Sequence, residues 1–246
     1  MAQLLRADLL PEAQLAPPAV RQLRALLRHR IRLVRLRTLL RNRIHAVLAG
    51  HGHGRPAGVW SGPGREWLAS LPLPAVSREV IQDGLALIDA AEARIGRLDR
   101  EIRQRARGDP RVKALTQLPG AGPFTALVIL AETGDVSRFG SARKLASWAG
   151  LTPTVRGSDR VACYGHISKE GPVWLRWVLC EAAQTAKRSP QFAAGYQAIA
   201  TRRGKKIATT AVARKLLTRA WHLLTDAEHA AATQPAAASA PQAGTR

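Results

Sequence analysis

Apolar residues recur every three or four positions along residues 19–49, a stretch without glycine or proline. These positions are Val20, Leu23, Leu27, Ile31 and Val34, the spacing of one face of an α-helix. Pro17 and Pro18 precede the stretch and Gly50 follows it, as expected where a helix begins and ends. The pattern therefore predicts one long helix.

A second long helix is predicted beyond the Gly- and Pro-rich residues 51–64 and the breaks at Pro72 and Pro74. Its apolar stripe has the seven-residue repeat of a coiled coil: Ile81, Ile88, Ile95 and Ile102, with Leu85 and Leu98 between them. Two such helices indicate an antiparallel hairpin or a dimerisation arm, and packing onto the same chain is equally allowed. Gly108, Asp109 and Pro110 end the helix and mark a domain boundary.

A glycine-rich turn, Pro119–Gly122, separates a short helix ending at Leu118 from another that Pro123 begins. Glycines such as Gly120 and Gly122 allow the backbone to approach a phosphate closely, and the dipole of the following helix favours an anion. The sequence thus predicts a helix-hairpin-helix motif that contacts a nucleic-acid backbone. A purely structural pair of packed helices would have a similar sequence.

Residues 154–177 are rich in small, hydroxyl and basic side chains, which indicates a functional loop between two helices. Ser158 lies between Arg156 and Arg160, so its hydroxyl would stand beside cations that can hold a phosphate. Lys169 and Arg176 are further candidate phosphate ligands. Taken alone, the Ser158 segment is more typical of an ordinary turn than of a functional site.

Near the end of the chain, a basic helix is predicted whose apolar positions are expected to be buried: Ile207, Val212, Leu216 and Leu217. A phosphate-binding P-loop is excluded here, because the position five residues before Gly204 is Ile199. Residues 229–246 are rich in Ala and Pro with little apolar bulk, which predicts a disordered tail.

The composition favours a mainly α fold, because Ala, Leu and Arg prevail and aromatic residues make up 4%. Lys and Arg number 38 against 17 Asp and Glu, a net charge of +21, which predicts a polyanionic partner. No apolar run approaches the roughly 18 residues that span a bilayer, and no signal peptide is apparent, so we expect a cytoplasmic protein without membrane association. Two cysteines without paired ligands indicate no metal site.

The stretch from Leu118 to Ala183 strongly resembles the transposase domain of bacterial insertion-sequence recombinases of the DEDD type, relatives of the pilin-gene invertase. The motifs are the glycine turn at Pro119–Gly122, the Gly-Leu-Thr-Pro signature at Gly150–Pro153 and a Gly-x-x-Ser-Lys-x-Gly signature. The last falls on Gly165, Ser168, Lys169 and Gly171. The resemblance continues upstream to residues 4–13.

The resemblance implies a DNA transposase in which a RuvC-like domain supplies acidic Mg²⁺ ligands, a coiled coil follows and a C-terminal domain supplies a nucleophilic serine. Ser158 takes that position here and would form a covalent phosphoserine with DNA. The implied nucleic-acid-binding residues are Gly120, Gly122, Arg156, Arg160, Lys169 and Arg176. The implied partners are DNA, a structured bridge RNA, and a second copy of the chain through the coiled coil.

The acidic cluster of the family has no counterpart, since it would lie upstream of residues 4–13. We therefore expect an N-terminally truncated transposase that binds no cofactor and is inactive by itself. Its predicted segments are a RuvC-like remnant (1–18), the basic and coiled-coil region (19–110), the transposase domain (111–228) and the tail (229–246). The alternative is a non-catalytic nucleic-acid-binding or assembly module derived from the transposase.

Overall fold

The computed structural model describes residues 3, 6, 15–54, 56–158 and 161–233. These residues form nine helices and one two-stranded sheet, which confirms the mainly α fold class. Most of the predicted RuvC-like remnant, Arg160, and the tail beyond residue 233 lie outside the described residues. The first five residues of the predicted tail are not a tail, because the last helix continues to Thr233. Alanine, the strongest helix former, dominates that stretch.

The elements follow one another in this order: α1 Pro18–Gly50, α2 Gly62–Ser70, α3 Ala75–Ala106, α4 Pro110–Leu115, α5 Pro123–Thr133, α6 Ala142–Trp148, β1 Pro153–Ser158, β2 Val161–Ile167, α7 Val173–Ala186, α8 Pro190–Arg203 and α9 Lys205–Thr233. The chain divides into two compact units, Leu26–Arg107 and the remainder, Met1–Ala25 with Gly108–Arg246. We call them the hairpin unit and the main unit. Helix α1 passes from one to the other after Ala25.

In the hairpin unit, α1 and α3 are antiparallel. Arg30 of α1 pairs with Asp99 of α3 at 3.0 Å, and Arg41, further along α1, pairs with Glu92, which comes earlier in α3. The four isoleucines of the predicted stripe are buried, Ile88 completely. Of the arrangements that the sequence allowed, the structure shows the antiparallel hairpin within one chain.

Helix α2, which the sequence analysis did not predict, lies in the connection between α1 and α3 and packs against the end of α1 and the start of α3. Ser61 precedes it and Pro63 lies in its first turn, where a proline costs no hydrogen bond. Leu68 of α2 joins Leu48 of α1 and Ile81 of α3 in one apolar core. The glycines and prolines that indicated a loop therefore border a helix of nine residues.

In the main unit, α5 is the central helix. Every residue from Ala126 to Thr133 is buried, because the sequence of α5 is apolar on all sides. Helices α4 and α7 pack against α5, and the long α9 contacts α4, α6, α7 and α8. Val212, Leu216 and Leu217 of α9 are buried as predicted. Ile207 is 49% exposed although its neighbour Ala208 is fully buried, so the prediction that Ile207 is buried is wrong: it lies on the solvent face of α9.

Asp109 caps α4 and is expected to stabilise the main unit. Its carboxylate accepts hydrogen bonds from the backbone N–H of Arg111 at 2.9 Å and from the Arg111 guanidinium. Asp109→Ala should lower the free energy of unfolding by about 1 kcal/mol, the usual loss for an N-cap. Asp109→Asn, which keeps an acceptor, should lose less.

The effect should depend on pH. The hydrogen bond from the Arg111 side chain lowers the pKa of Asp109 from 3.8, so the stabilisation is present above that pH and is lost as the pH falls through the folded-state pKa. Chemical denaturation of wild type and Asp109→Ala at pH 7 and in acid measures the difference. A difference that does not shrink in acid would contradict the assignment.

Candidate nucleic-acid interface

The glycine turn has the predicted order of helix, turn and helix, formed by α4, residues 116–122 and α5. Gly120 has a φ of +80°, and the carbonyl oxygen of Ala182 in α7 occupies the place that a Cβ would need. The close backbone approach that Gly120 permits is therefore made to α7. Gly122 precedes α5 in an extended conformation with open space around it. Phosphate contact at this turn stays a prediction.

Ser158 lies at the end of a β-strand, where the sequence analysis had predicted a loop. Strand β1 pairs with β2 in an antiparallel hairpin, with Ser158 opposite Val161 and Arg156 opposite Cys163. The connecting residues, Asp159 and Arg160, are not among those described. Two runs with β-branched and aromatic residues, separated by two residues, are the signal that could have predicted this hairpin. Ser158 is therefore the last residue of β1, next to the two residues that connect the strands.

Two glycine turns interlock at the base of this β-hairpin. Gly150 (φ +69°) approaches the backbone of Glu170, and Gly171 (φ +71°) approaches the carbonyl oxygen of Trp148 so closely that a Cβ on either glycine would overlap its neighbour. The Lys169 amide donates to the Gly150 carbonyl at 3.2 Å. The Gly-Leu-Thr-Pro signature and the Gly-x-x-Ser-Lys-x-Gly signature are therefore in contact at the base of the β-hairpin.

Arg176 of α7 lies within this base. Its Nη1 donates to the carbonyls of Ala149 at 3.1 Å, Gly171 at 3.0 Å and Glu170. The guanidinium thus holds both turns against α7. A role of Arg176 in nucleic-acid binding, predicted from its charge, stays a prediction beside this structural role.

Arg156 and Lys169 are both exposed. Arg156 lies in β1, two residues before Ser158, and Lys169 lies at the base with a φ of +59°, rare for a residue with a side chain. The β-hairpin therefore brings Arg156 near Ser158 but places Lys169 at its opposite end. Their contacts with nucleic acid remain predictions.

Several arginines of α1 have partners within the fold. Arg30 and Arg41 pair with Asp99 and Glu92 of α3, and Arg37 lies 3.7 Å from Glu92. In the main unit, Arg24 donates to the carbonyls of Ala131 and Glu132, near the C-terminus of α5. These four arginines serve the fold. Sequence reasoning missed their partners, because the partners lie far along the chain.

The residues described include no group of three or more His, Cys, Asp or Glu side chains that could hold a metal ion. The Mg²⁺ that the resemblance implies for the family therefore finds no ligand set in this part of the chain. Among the helices described, none is long and apolar enough to cross a membrane.

The amino-acid sequence is similar to those of known transposases. Residues 112–197 match the model of the "Transposase IS116/IS110/IS902 family". A "Probable family 20 transposase" of Pseudomonas aeruginosa is 32% identical over 207 residues, which cover 80% of this chain and 61% of that protein. The "Transposase for insertion sequence element IS1111A" of Coxiella burnetii is 31% identical over 222 residues, covering 83% of this chain and 58% of that protein.

A third relative, the "Transposase for insertion sequence element IS1328" of Yersinia enterocolitica, is 26% identical over 208 residues, with coverages of 80% and 61%. The chain thus spans about 60% of the length of these relatives. The matched segment begins in α4 and ends in α8, so it contains the glycine turn, the interlocked base and the β-hairpin with Ser158. Residues 112–197 are accordingly similar to transposases of the IS116/IS110/IS902 family.

Proposed function

We propose that this chain acts in DNA transposition and that Ser158 is its nucleophile. The observation that carries the proposal is the position of Ser158, next to the turn of a β-hairpin inside the segment that matches the transposase family. The net charge of +21 supports DNA as the partner.

In the proposed reaction, the Ser158 hydroxyl oxygen attacks the phosphorus of a DNA phosphodiester. A serine-phosphate bond forms, one strand oxygen leaves as a hydroxyl, and the serine proton goes to solvent or to that leaving group. A hydroxyl of another strand then attacks the phosphoserine and releases the serine. The numbers of bonds broken and formed match, so strands are exchanged without an external energy source. Arg156, two residues before Ser158, is placed to hold the phosphate charge.

Two further partners belong to the proposal. A structured guide RNA, implied by the resemblance, would be a second polyanion for the basic surface. A second copy of the chain would have to use a surface other than the isoleucine stripe, because that stripe is buried in the hairpin unit. Leu36 and Leu39 of α1, 46% and 61% exposed, are candidate contacts.

A covalent-adduct assay tests the role of Ser158. The full chain is incubated with Mg²⁺ and a plasmid carrying its own gene with the flanking DNA, then denatured and examined for protein linked to DNA. The wild type should give an adduct that Ser158→Ala abolishes and that the matched hydroxyl variant Ser137→Ala retains. Ser137 is exposed and lies outside the β-hairpin.

An adduct that persists in Ser158→Ala would contradict the proposal. A wild-type chain that binds DNA but forms no adduct would also contradict the assignment of Ser158 as the nucleophile of this chain and would favour the non-catalytic module. Recombination of the plasmid by the chain alone would contradict the expectation that the chain is inactive by itself.

A further inference from the structure

A shallow basic groove lies beside the base of the β-hairpin in the main unit. It has a volume of about 470 Å³ and lies between α6, the start of β1 and α9. Its lining combines three cations, two hydroxyls and an apolar side chain: Arg143, Lys144, Arg214, Ser147, Thr152 and Val155. None of the three cations was singled out from the sequence.

The charge of this groove is uncompensated. Of the residues that line it, none is acidic, and the described carboxylates form no ion pair with its three cations. In the hairpin unit, by contrast, Arg30, Arg41 and Arg65 are paired with acids. Like charges that line one groove repel each other and create a positive potential that attracts an anion.

The lining also matches the chemistry of a nucleic-acid strand. Cations and the hydroxyls of Ser147 and Thr152 are the donors that commonly bind phosphate oxygens. Val155, which is 59% exposed, offers an apolar contact for a sugar. Along a nucleic-acid strand, charged phosphates alternate with less polar sugars, so a strand can contact both the cations and Val155. An isolated phosphate ion offers only the charged group.

The groove is continuous with the strand that carries Ser158. Val155 lines the groove, and Ser158 follows three residues later in β1, about 10 Å along the strand and, because successive residues alternate, on the opposite face of β1. A DNA strand bound in the groove therefore has to cross from one face of β1 to the other to reach Ser158. We propose that the groove binds the DNA strand that Ser158 attacks, through phosphates one to two nucleotides from the scissile one. This inference rests on the proposed function and assigns Arg143, Lys144 and Arg214 as residues that position the substrate.

A binding experiment with charge-matched variants tests the inference. Arg143→Gln/Lys144→Gln removes two exposed charges from the groove, and the control Arg202→Gln/Arg203→Gln removes two exposed charges from the end of α8. Affinity of the full chain for a labelled DNA duplex of mixed sequence is measured by fluorescence anisotropy across a salt titration. Arg214→Gln is measured separately, because Arg214 is half-buried.

The groove variant should bind DNA about tenfold more weakly than the control, and its plot of log affinity against log salt should lose a slope of about two, one unit for each phosphate contact. Equal binding by the groove variant and the control would overturn the proposal. A loss confined to a labelled RNA of the same sequence would overturn the assignment to DNA.

The result of this binding experiment can be distinguished from the result of the covalent-adduct assay on Ser158→Ala. Ser158→Ala should bind DNA as the wild type does, because it keeps every cation of the groove. If the groove variant loses affinity while no Ser158-dependent adduct forms, only the catalytic proposal fails. If the Ser158-dependent adduct forms at the wild-type level in the groove variant and its affinity is unchanged, only the groove assignment fails.

Discussion

Replacing Gly171 with alanine is expected to lower the free energy of unfolding of the main unit by about 4 kcal/mol, an exceptional loss for one substitution. A Cβ at this position would overlap the carbonyl oxygen of Trp148, and the neighbour is backbone that cannot rotate away. The φ of +71° adds the ordinary cost, about 1 to 2 kcal/mol, of placing a side chain in the left-handed region. Because the Gly150 and Gly171 turns interlock, a Cβ on residue 171 would force the two turns apart.

Gly108→Ala is the matched control for this prediction, because Gly108 also belongs to the main unit. Gly108 has a positive φ, +82°, but a Cβ there would meet nothing within 4 Å. The control should therefore show only the backbone cost, while Gly171→Ala should show that cost together with the overlap. Urea denaturation of both variants and the wild type measures the difference. Equal losses in the two variants would mean that the interlock is not rigid.

Replacing Arg176 with methionine is expected to lower the free energy of unfolding by about 2 kcal/mol. Methionine keeps the apolar part of the side chain but leaves the carbonyls of Ala149, Glu170 and Gly171 without their shared donor. An unsatisfied buried acceptor costs about 1 to 3 kcal/mol, and water can reach part of this site, so the loss falls within that range.

The same variant separates the two roles of Arg176. Arg188→Met is the matched control, because Arg188 is exposed just beyond α7 and its loss changes the net charge equally. If Arg176 acts through the fold, Arg176→Met loses stability and Arg188→Met does not, while both show the same small change in DNA affinity. A stable Arg176→Met variant with a marked loss of DNA affinity would instead show that the arginine binds phosphate.

The predictions from sequence were strongest where the information is local. Helices α1 and α3 were predicted close to their observed bounds, because their apolar periodicity repeats over many turns. Ser141, of a residue type that favours helix N-caps, caps α6, where its hydroxyl accepts from the backbone N–H of Lys144 at 3.3 Å. The β-hairpin was missed, because its strands are short and its small and basic residues suggested a loop.

By itself, the sequence determined that the protein is mainly helical and strongly basic, and it located Ser158 in the segment that matches a transposase family. Periodicity, charge and motif spacing depend on residues close together in the sequence, so they can be recognised without the tertiary structure. Only the tertiary structure decided which arginine and lysine side chains remain available to a polyanion. Arg24 and Arg176 are used by backbone carbonyls, whereas Arg143, Lys144 and Arg214 line one groove. The reason is physical. Whether a cation is paired depends on the acids and carbonyls that folding brings near it, and those groups lie far from it along the chain.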